Sequence, residues 1–365
     1  MKRVGLVTWY RGTNYGSVLQ AYALQKALQD SGCSVCFVRS FEMPFTLRNI
    51  RINLFGKYGI MRHNPLKDSP FRRQRERFAA FAEENFRERL PLTAREYRKM
   101  LSGTDAFLCG SDQIWNCRNG FDPFLFLDFA GKVKRLSYAA SIGTGDIPEE
   151  YAGRVKALLS RFEHIGVREK SAEKALSALT GRSDIRTVLD PTFLLDAPAW
   201  REFARGSKAE GLPDGKYIFC YFVGKASDYA EQLRRVKALT GIANAVLLPS
   251  NYHPTESLEG AERIEDAGPR EFVALLDGAA VALTDSFHGS ALSLNLGRQL
   301  YCVKRFSDDD PLSQNSRLYD LFDLLGTGNR FLENGAVQDI DYKQVVERLG
   351  ALRQESAEFL KTEVG

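Results

Sequence analysis

The 365-residue chain has little of several things. It holds only four histidines, so a site built on clustered imidazoles is excluded unless nearly all of them converge. Its six cysteines are scattered through a long chain, which argues against a disulfide-built scaffold. Cys33 and Cys36 make a single Cys-x-x-Cys with no second pair and no histidine cluster. Cys36 lies in the apolar run "CSVCFV", so both thiols read as buried strand residues rather than as redox or zinc ligands. No metal is expected. Long apolar runs are also missing: the opening "MKRVGLVTWY" has one short run before Arg11, too short for a signal-peptide core or a membrane span. A net charge of +4 is small for this length and argues against a nucleic-acid partner. Neither G-x-G-x-x-G nor a P-loop occurs, so neither nucleotide motif is available as an explanation. These absences predict a cytoplasmic protein with reduced thiols.

What is present is a regular alternation of apolar strand patterns and helical patterns. The length predicts two domains, because single cores rarely grow past roughly 250–300 residues. "RVGLVTW", a turn "RGTNYG", a helix from Ser17 to the stop at Gly32 and "SVCFVRS" make a βαβ opening, which implies a parallel sheet. Residues 41–68 show no clear period. A helix is expected through "SPFRRQRERFAAFAEENF", and Thr93 with Glu96 forms a capping box for another. "DAFLC", "RLSYAAS" and "HIGVR" continue the strands. A connection rich in Gly, Pro and charge follows, and "KYIFCYFVG" starts the rhythm again. The pattern predicts an α/β protein with two Rossmann-like, doubly wound domains facing a cleft: residues 1–197, residues 198–340, and a closing helix over 341–365. Ligands of such sheets bind outside the carboxyl ends of the strands, so the loops after strands are where to search.

Five such loops carry candidate chemistry. "GTNYGS" (12–17) offers two glycines and a helix N-terminus to an anion, or is simply a tight strand-to-helix turn. "CGSDQIWN" (109–116) crowds an amide, a carboxylate and an indole together. These suit a sugar, whose hydroxyls meet polar edges while an aromatic face covers the ring; the alternative is an Asx-type turn with Trp115 packed inward. Arg168, in "GVREKSA", can clamp a carboxylate or phosphate with its fork, or pair with Glu169 or Glu173. In "DSFHGSALSLNLG" (285–297), His288 is held between a strand end and a helix start, with Ser286 and Gly289 beside it. In "KRFSDDDPLSQNSRLYDLF" (304–322), Lys304, Arg305 and Arg317 supply charge, and Ser313, Asn315 and Ser316 supply hydrogen bonds.

Taken together, "GTNYGSVLQAYAL", "GSDQIWN", "YAASIG", "VREKSA", "LDPTFLL" and "TDSFHGSALSLNLG", running from residue 12 to about 297, resemble the polysaccharide pyruvyl transferase family. The resemblance implies the two-domain GT-B-like architecture. It also implies transfer of the enolpyruvyl unit of phosphoenolpyruvate to a sugar, making a cyclic pyruvate ketal, with no cofactor beyond that co-substrate. Two departures stand out. Many members have Arg-Leu-His-Gly around the histidine, whereas here Ser286 occupies the arginine position of Ser286-Phe287-His288-Gly289. Members often have Gly-Asn-x-Gly-Asp in the first loop, whereas this chain has Thr13-Asn14-Tyr15-Gly16-Ser17. Both bear on the identity of the donor more than on the fold.

The resemblance implies roles. His288 is the general acid or orients the donor. Arg168, Ser286, Ser316, Arg317 and Lys304 bind the donor. Asn14, Tyr15, Asp112, Gln113, Trp115 and Asn116 bind the acceptor, a sugar or lipid-linked oligosaccharide. Two other classes remain: a GT-B glycosyltransferase using a nucleotide sugar, and a non-catalytic glycan- or anion-binding protein. Finally, Arg48, Arg51, Lys57, Arg62, Lys67, Arg72, Arg73, Arg75 and Arg77 face only Asp68 and Glu76 across residues 48–77, with apolar residues between them. This stretch is either a solvated basic face or a peripheral docking surface for an anionic membrane.

Overall fold

The computed structural model describes residues 1–55, 71–207, 209, 211–225, 228–250, 257–310, 313–332 and 337–364. The first domain runs β1 (Arg3–Val7), α1 (Tyr15–Asp30), β2 (Ser34–Val38), α2 (Leu47–Phe55), α3 (Arg72–Asn85), β3 (Glu88–Arg89), α4 (Ala94–Ser102), β4 (Ala106–Cys109), β5 (Lys134–Ala140), α5 (Glu149–Leu159), β6 (His164–Val167), α6 (Lys170–Thr180) and β7 (Arg186–Thr187). The helix α7 (Ala197–Phe203) leads to the second domain. That domain runs β8 (Tyr217–Phe222), α8 (Tyr229–Thr240), β9 (Asn244–Pro249), β10 (Glu262–Arg263), α9 (Pro269–Gly278), β11 (Val281–Thr284), α10 (Phe287–Asn295), β12 (Gln299–Cys302) and α11 (Ser316–Leu325). The last helix is α12 (Tyr342–Val364).

Both sheets are parallel among the described residues, in the orders β3-β2-β1-β4-β5-β6-β7 and β10-β9-β8-β11-β12. Each reverses direction beside its first strand, between β1 and β4 and between β8 and β11. Strands buried on both faces read as unbroken apolar runs, and β8 (YIFCYF) is buried at every position. The expected capping box is formed: Thr93 Oγ1 accepts from the Glu96 amide, and Glu96 Oε2 accepts from the Thr93 amide, both at 3.2 Å. Cys33 and Cys36 are free thiols, and burial raises both above the ordinary thiol range, which suits the reading of inert strand residues.

The closing helix packs on both domains: Arg353 donates to Asn295 of the second, and its later part meets the first. The Leu189 amide donates to Ser356 Oγ at 3.0 Å, and His164 Nε2 meets Glu363 at 2.6 Å. A Cβ on Gly166 would lie 3.0 Å from the Phe359 ring, so α12 lies close against β6. Between the domains, α1 is buried along most of its length, and one continuous apolar core takes residues from α1, α9, α10, α11 and α12.

The irregular stretch 41–68 contains α2, which the sequence pattern does not reveal. Lys57, Arg62, Lys67 and Asp68 of the basic stretch lie outside the described residues. Arg77 departs from the expected basic face: it turns inward and pairs across the domain boundary with Asp266 at 3.0 Å and Glu271 at 2.9 Å. No helix among the described residues is long and apolar enough to cross a membrane.

Candidate functional site

The site forms where the loops after β1 and β4 meet the start of α10. Asn14 is the N-cap of α1, accepting from the Ser17 amide at 3.1 Å. Its side chain is therefore committed to starting the helix. Tyr15 is fully buried and pins the two domains together. Its hydroxyl donates to the Ala267 carbonyl and accepts from Gln74 Nε2, each at 2.6 Å, and its ring stacks on Phe272 at 4.6 Å. A residue so enclosed touches no sugar, which corrects the acceptor role expected for it. Gly16 comes next because nothing larger fits: a Cβ there would stand 2.2 Å from Nδ1 of His288. The absent side chain lets the N-termini of α1 and α10 converge.

The loop after β4 divides into two. Asp112 takes the left-handed conformation, with φ 67°, and its carboxylate accepts from Ser17 Oγ at 2.5 Å and from the Gln113 amide at 2.8 Å. Gln113 lies between Asn116, 2.8 Å away, and Gln314 of the second domain, 3.1 Å away. With its amide oxygen turned toward Arg317, it accepts from Nη1 at 2.8 Å. Asn116 also caps the turn 117–119 by accepting from the Arg118 amide. Trp115 points the other way. Its indole is 1% exposed, stacks at 5.4 Å on Phe126 and donates to the Leu125 carbonyl. Its expected place over a sugar ring is thus corrected to the core, where truncation of a buried aromatic costs ~3–5 kcal/mol of stability.

Asp190 organises the centre. Oδ1 accepts from the amide and hydroxyl of Thr192 at 3.0 and 2.7 Å. Oδ2 accepts from Ser111 Oγ and Arg168 Nη1, both at 3.1 Å, and faces His288 Nε2 at 3.4 Å. Burial alone would raise this carboxyl, but His288 and Arg168 more than offset it and hold the group well below the ordinary carboxylate range. Asp112 is held low in the same way, by His288 and Arg168 against its burial. Arg168 is itself buried and donates to Glu169 Oε1 at 2.8 Å. Burial works to lower its pKa, but Glu169 and Asp190 dominate and raise it. Its remaining Nη2 is buried without a hydrogen-bond partner, and its guanidinium lies 4.1 Å from the centre of the Phe287 ring.

On the second domain, Ser286 is the N-cap of α10: its hydroxyl accepts from the Gly289 amide at 3.2 Å. His288 follows one turn into the site. Arg317, in the first turn of α11, is buried and donates to Gln314 alone through Nε at 3.3 Å and Nη2 at 2.7 Å, besides the Gln113 contact. Among the described residues no carboxylate pairs with it. Burial, then the neighbouring charges of Arg168 and Arg305, push this guanidinium down to about 9. Glu169 and Asp112 act the other way without pairing with it, so Arg317 is a buried cation whose direct partners are amide groups. A small pocket lies here, lined by Arg168, Glu169, Asp190, Phe287, Arg317 and Asp320 among others.

The structure therefore gathers Arg168, His288, Arg317, Asp112 and Gln113, with Asn116 and Ser286 beside them. It does not gather Lys304, which pairs with Asp308 at 2.5 Å near the rings of Tyr319 and Phe331. Ser316 begins α11 next to Arg317. Sequence reasoning missed Asp190 and Gln314, whereas Glu169 is one of the two partners it offered for Arg168. The Asp-Pro of "LDPTFLL" signals a turn cap, which Asp190 Oδ1 indeed provides. Nothing local reveals that Oδ2 faces three groups from distant loops. No metal-binding cluster of His, Cys, Asp or Glu occurs among the described residues.

Known structures share the fold. A UDP-GlcNAc 2-epimerase from Methanocaldococcus jannaschii superposes with a TM-score of 0.51 at 10% identity, over 96% of this chain and 92% of that one. The S. aureus MnaA–UDP structure gives 0.50 at 12% identity, over 100% and 90%. These support the GT-B-like arrangement of two parallel α/β domains. No curated protein is significantly similar to the chain. The polysaccharide pyruvyl transferase family model matches residues 14–305, which include Asp190, His288 and the switch point of the second sheet, and the chain belongs to that family.

Proposed function

We propose that the chain transfers the enolpyruvyl unit of phosphoenolpyruvate to two hydroxyls of a sugar, most simply one carried on a lipid-linked polysaccharide precursor. The observation that carries this reading is Arg317: a buried cation that no carboxylate pairs with among the described residues, lining one pocket with Arg168 and Asp190, whose carboxylate in turn faces His288. A small, doubly charged donor satisfies that arrangement. Its phosphate neutralises Arg317, and the unpartnered Nη2 of Arg168 takes the carboxylate. Ser286, where many members carry an arginine, supplies no charge, so Arg317 takes over that part.

Four bonds change. His288 gives a proton to the methylene carbon, which becomes a methyl group. One sugar oxygen bonds to the central carbon and a second closes the ring. The bond from that carbon to the phosphate oxygen breaks. Of the two hydroxyl protons, one restores His288 and the other leaves with phosphate. A positioned acid of this kind is worth about 10²–10⁴-fold. Asp112, Gln113 and Asn116 line the approach for the acceptor. The exposed helix α2, with Leu47 at 88% and Ile52 at 38% exposure beside Arg48 and Arg51, is the part of the basic stretch that meets an anionic membrane carrying such an acceptor.

Incubation of the full chain with phosphoenolpyruvate and a panel of lipid-linked sugars tests this. Phosphate release matched by a pyruvylated acceptor in the mass spectrum is expected. Stabilisation by phosphoenolpyruvate without turnover on any acceptor would favour a binding protein instead.

A further inference from the structure

We propose that Asp285 is an internal anion that fills the phosphate position of the second domain, so that this domain accepts no nucleoside diphosphate. In doubly wound sheets, ligands bind outside the carboxyl ends of the strands where the order reverses, and phosphates are taken by amides at the loop that follows. For the second sheet that place lies between β8 and β11, whose ends are in register at Tyr221 and Thr284. The loop leaving β8 carries Val223 and Gly224, and the residue leaving β11 is Asp285.

The carboxylate of Asp285 is held as a phosphate would be. Oδ1 accepts from the Val223 amide at 2.7 Å. Oδ2 accepts from the Gly224 amide and from the Tyr229 hydroxyl, both at 2.8 Å, and faces Arg305 Nε at 3.3 Å. Arg305 also donates through Nη2 to the Asp285 carbonyl at 2.8 Å, which fixes the guanidinium over the same spot. The Asp285 side chain is fully enclosed. Two backbone amides, a phenol and a guanidinium are a donor set suited to a phosphate oxyanion. Gly224 is needed for the close approach: a Cβ there would lie 2.3 Å from Arg305 Cγ and 2.8 Å from Asp285 Oδ2.

The consequence is a division of labour. An incoming diphosphate has to displace a carboxylate that already uses every one of these donors, whereas among the described residues no carboxylate is hydrogen-bonded to Arg317 in the same domain. Asp285 is thus a specificity-determining residue acting against nucleotide-linked donors. This holds whatever small anion binds at Arg317.

Hydrogen exchange of the Val223 and Gly224 amides, read in the full chain with and without UDP, ADP or inorganic pyrophosphate, tests the inference separately from turnover. In the unaltered protein the two amides are protected, and none of the three compounds changes their exchange. In Asp285→Ala and in the near-isosteric Asp285→Asn the amides exchange faster, and pyrophosphate restores at least about tenfold protection, the effect of one charge-assisted hydrogen bond. Nucleotide-dependent protection of Val223 and Gly224 in the unaltered chain would overturn it, and this arm needs no variant to fold. So would an Asp285 variant with native circular dichroism on which pyrophosphate has no effect.

Discussion

Across the domain boundary, His288 Nε2 stands 3.4 Å from Asp190 Oδ2, while the other ring nitrogen faces Gly16, where even a methyl group would collide at 2.2 Å. The two nitrogens therefore have different work. Nε2 is aimed at a buried carboxylate that orients the ring, and Nδ1 is packed against the backbone of α1, so the ring is held from both sides.

His288→Ala is expected to keep the fold and lower turnover by at least about 10²-fold. Asp190→Asn keeps the ring but removes the charge that orients it, so kcat falls, its pH profile shifts, and the donor KM changes less. Unaltered pH dependence in a folded Asp190→Asn variant would limit Asp190 to a structural role.

Arg317 and Arg168 should separate cleanly. Arg317→Met removes a buried charge that has no carboxylate partner among the described residues, so thermal stability holds or rises while stabilisation by phosphoenolpyruvate disappears. Arg168 has Glu169 and Asp190 as partners. Arg168→Lys loses the fork and leaves carboxylates poorly matched, so it should lower stability by ~2–4 kcal/mol as well as raise the donor constant. Equal melting temperatures for the two variants would contradict this division.

Acid stability follows from Asp190. Its carboxyl titrates lower in the folded chain than its ordinary 3.8, so the unfolded chain binds the proton first as pH falls. The stabilisation is complete above that value and is lost as pH drops through the folded one. Asp112 acts in the same direction. Urea midpoints measured across this acid window should fall more steeply for the unaltered protein than for Asp190→Asn, and parallel slopes would remove Asp190 from the account.

Much of this was legible in the sequence, and the rest was not for physical reasons. Helix and strand patterns located nearly every long element because apolar periodicity is local. The two-residue strands β3 and β10 carry no periodicity to read. Helix α2 is short and faces solvent with Leu47 and Ile52, so its apolar residues do not trace a buried stripe. Among site residues, His288, Arg168 and Arg317 could be found because each sits at a helix start after a strand. Tyr15 and Trp115 misled because an aromatic in a polar loop reads alike whether it turns outward or inward. That choice is made by Phe272, in the other domain, and by Phe126, later in the same connection and outside any periodic pattern.

The proposed membrane contact through α2 extends, if the basic face is continuous, to the exposed part of α3. Arg72 already makes an exposed pair with Glu76, and Arg77 is taken up between the domains. Binding to anionic vesicles should weaken with salt and fall when Arg48, Arg51, Arg73 and Arg75 are changed to Gln, each contributing on the order of 1 kcal/mol. Arg77→Gln should instead lower thermal stability without changing vesicle binding. Equal pelleting with neutral and anionic lipid would leave this surface as an ordinary solvated face.

The most direct test of the central claim follows the methylene carbon of the donor. The reaction is run in deuterium oxide with phosphoenolpyruvate and a pyruvylatable lipid-linked sugar, and the product is read by mass spectrometry and proton NMR. The account predicts a ketal whose methyl group carries one deuterium taken up from solvent, formed in step with phosphate and lost in His288→Ala. A product carrying a sugar from a nucleotide-linked donor, or phosphate release with no ketal on any acceptor, would contradict it.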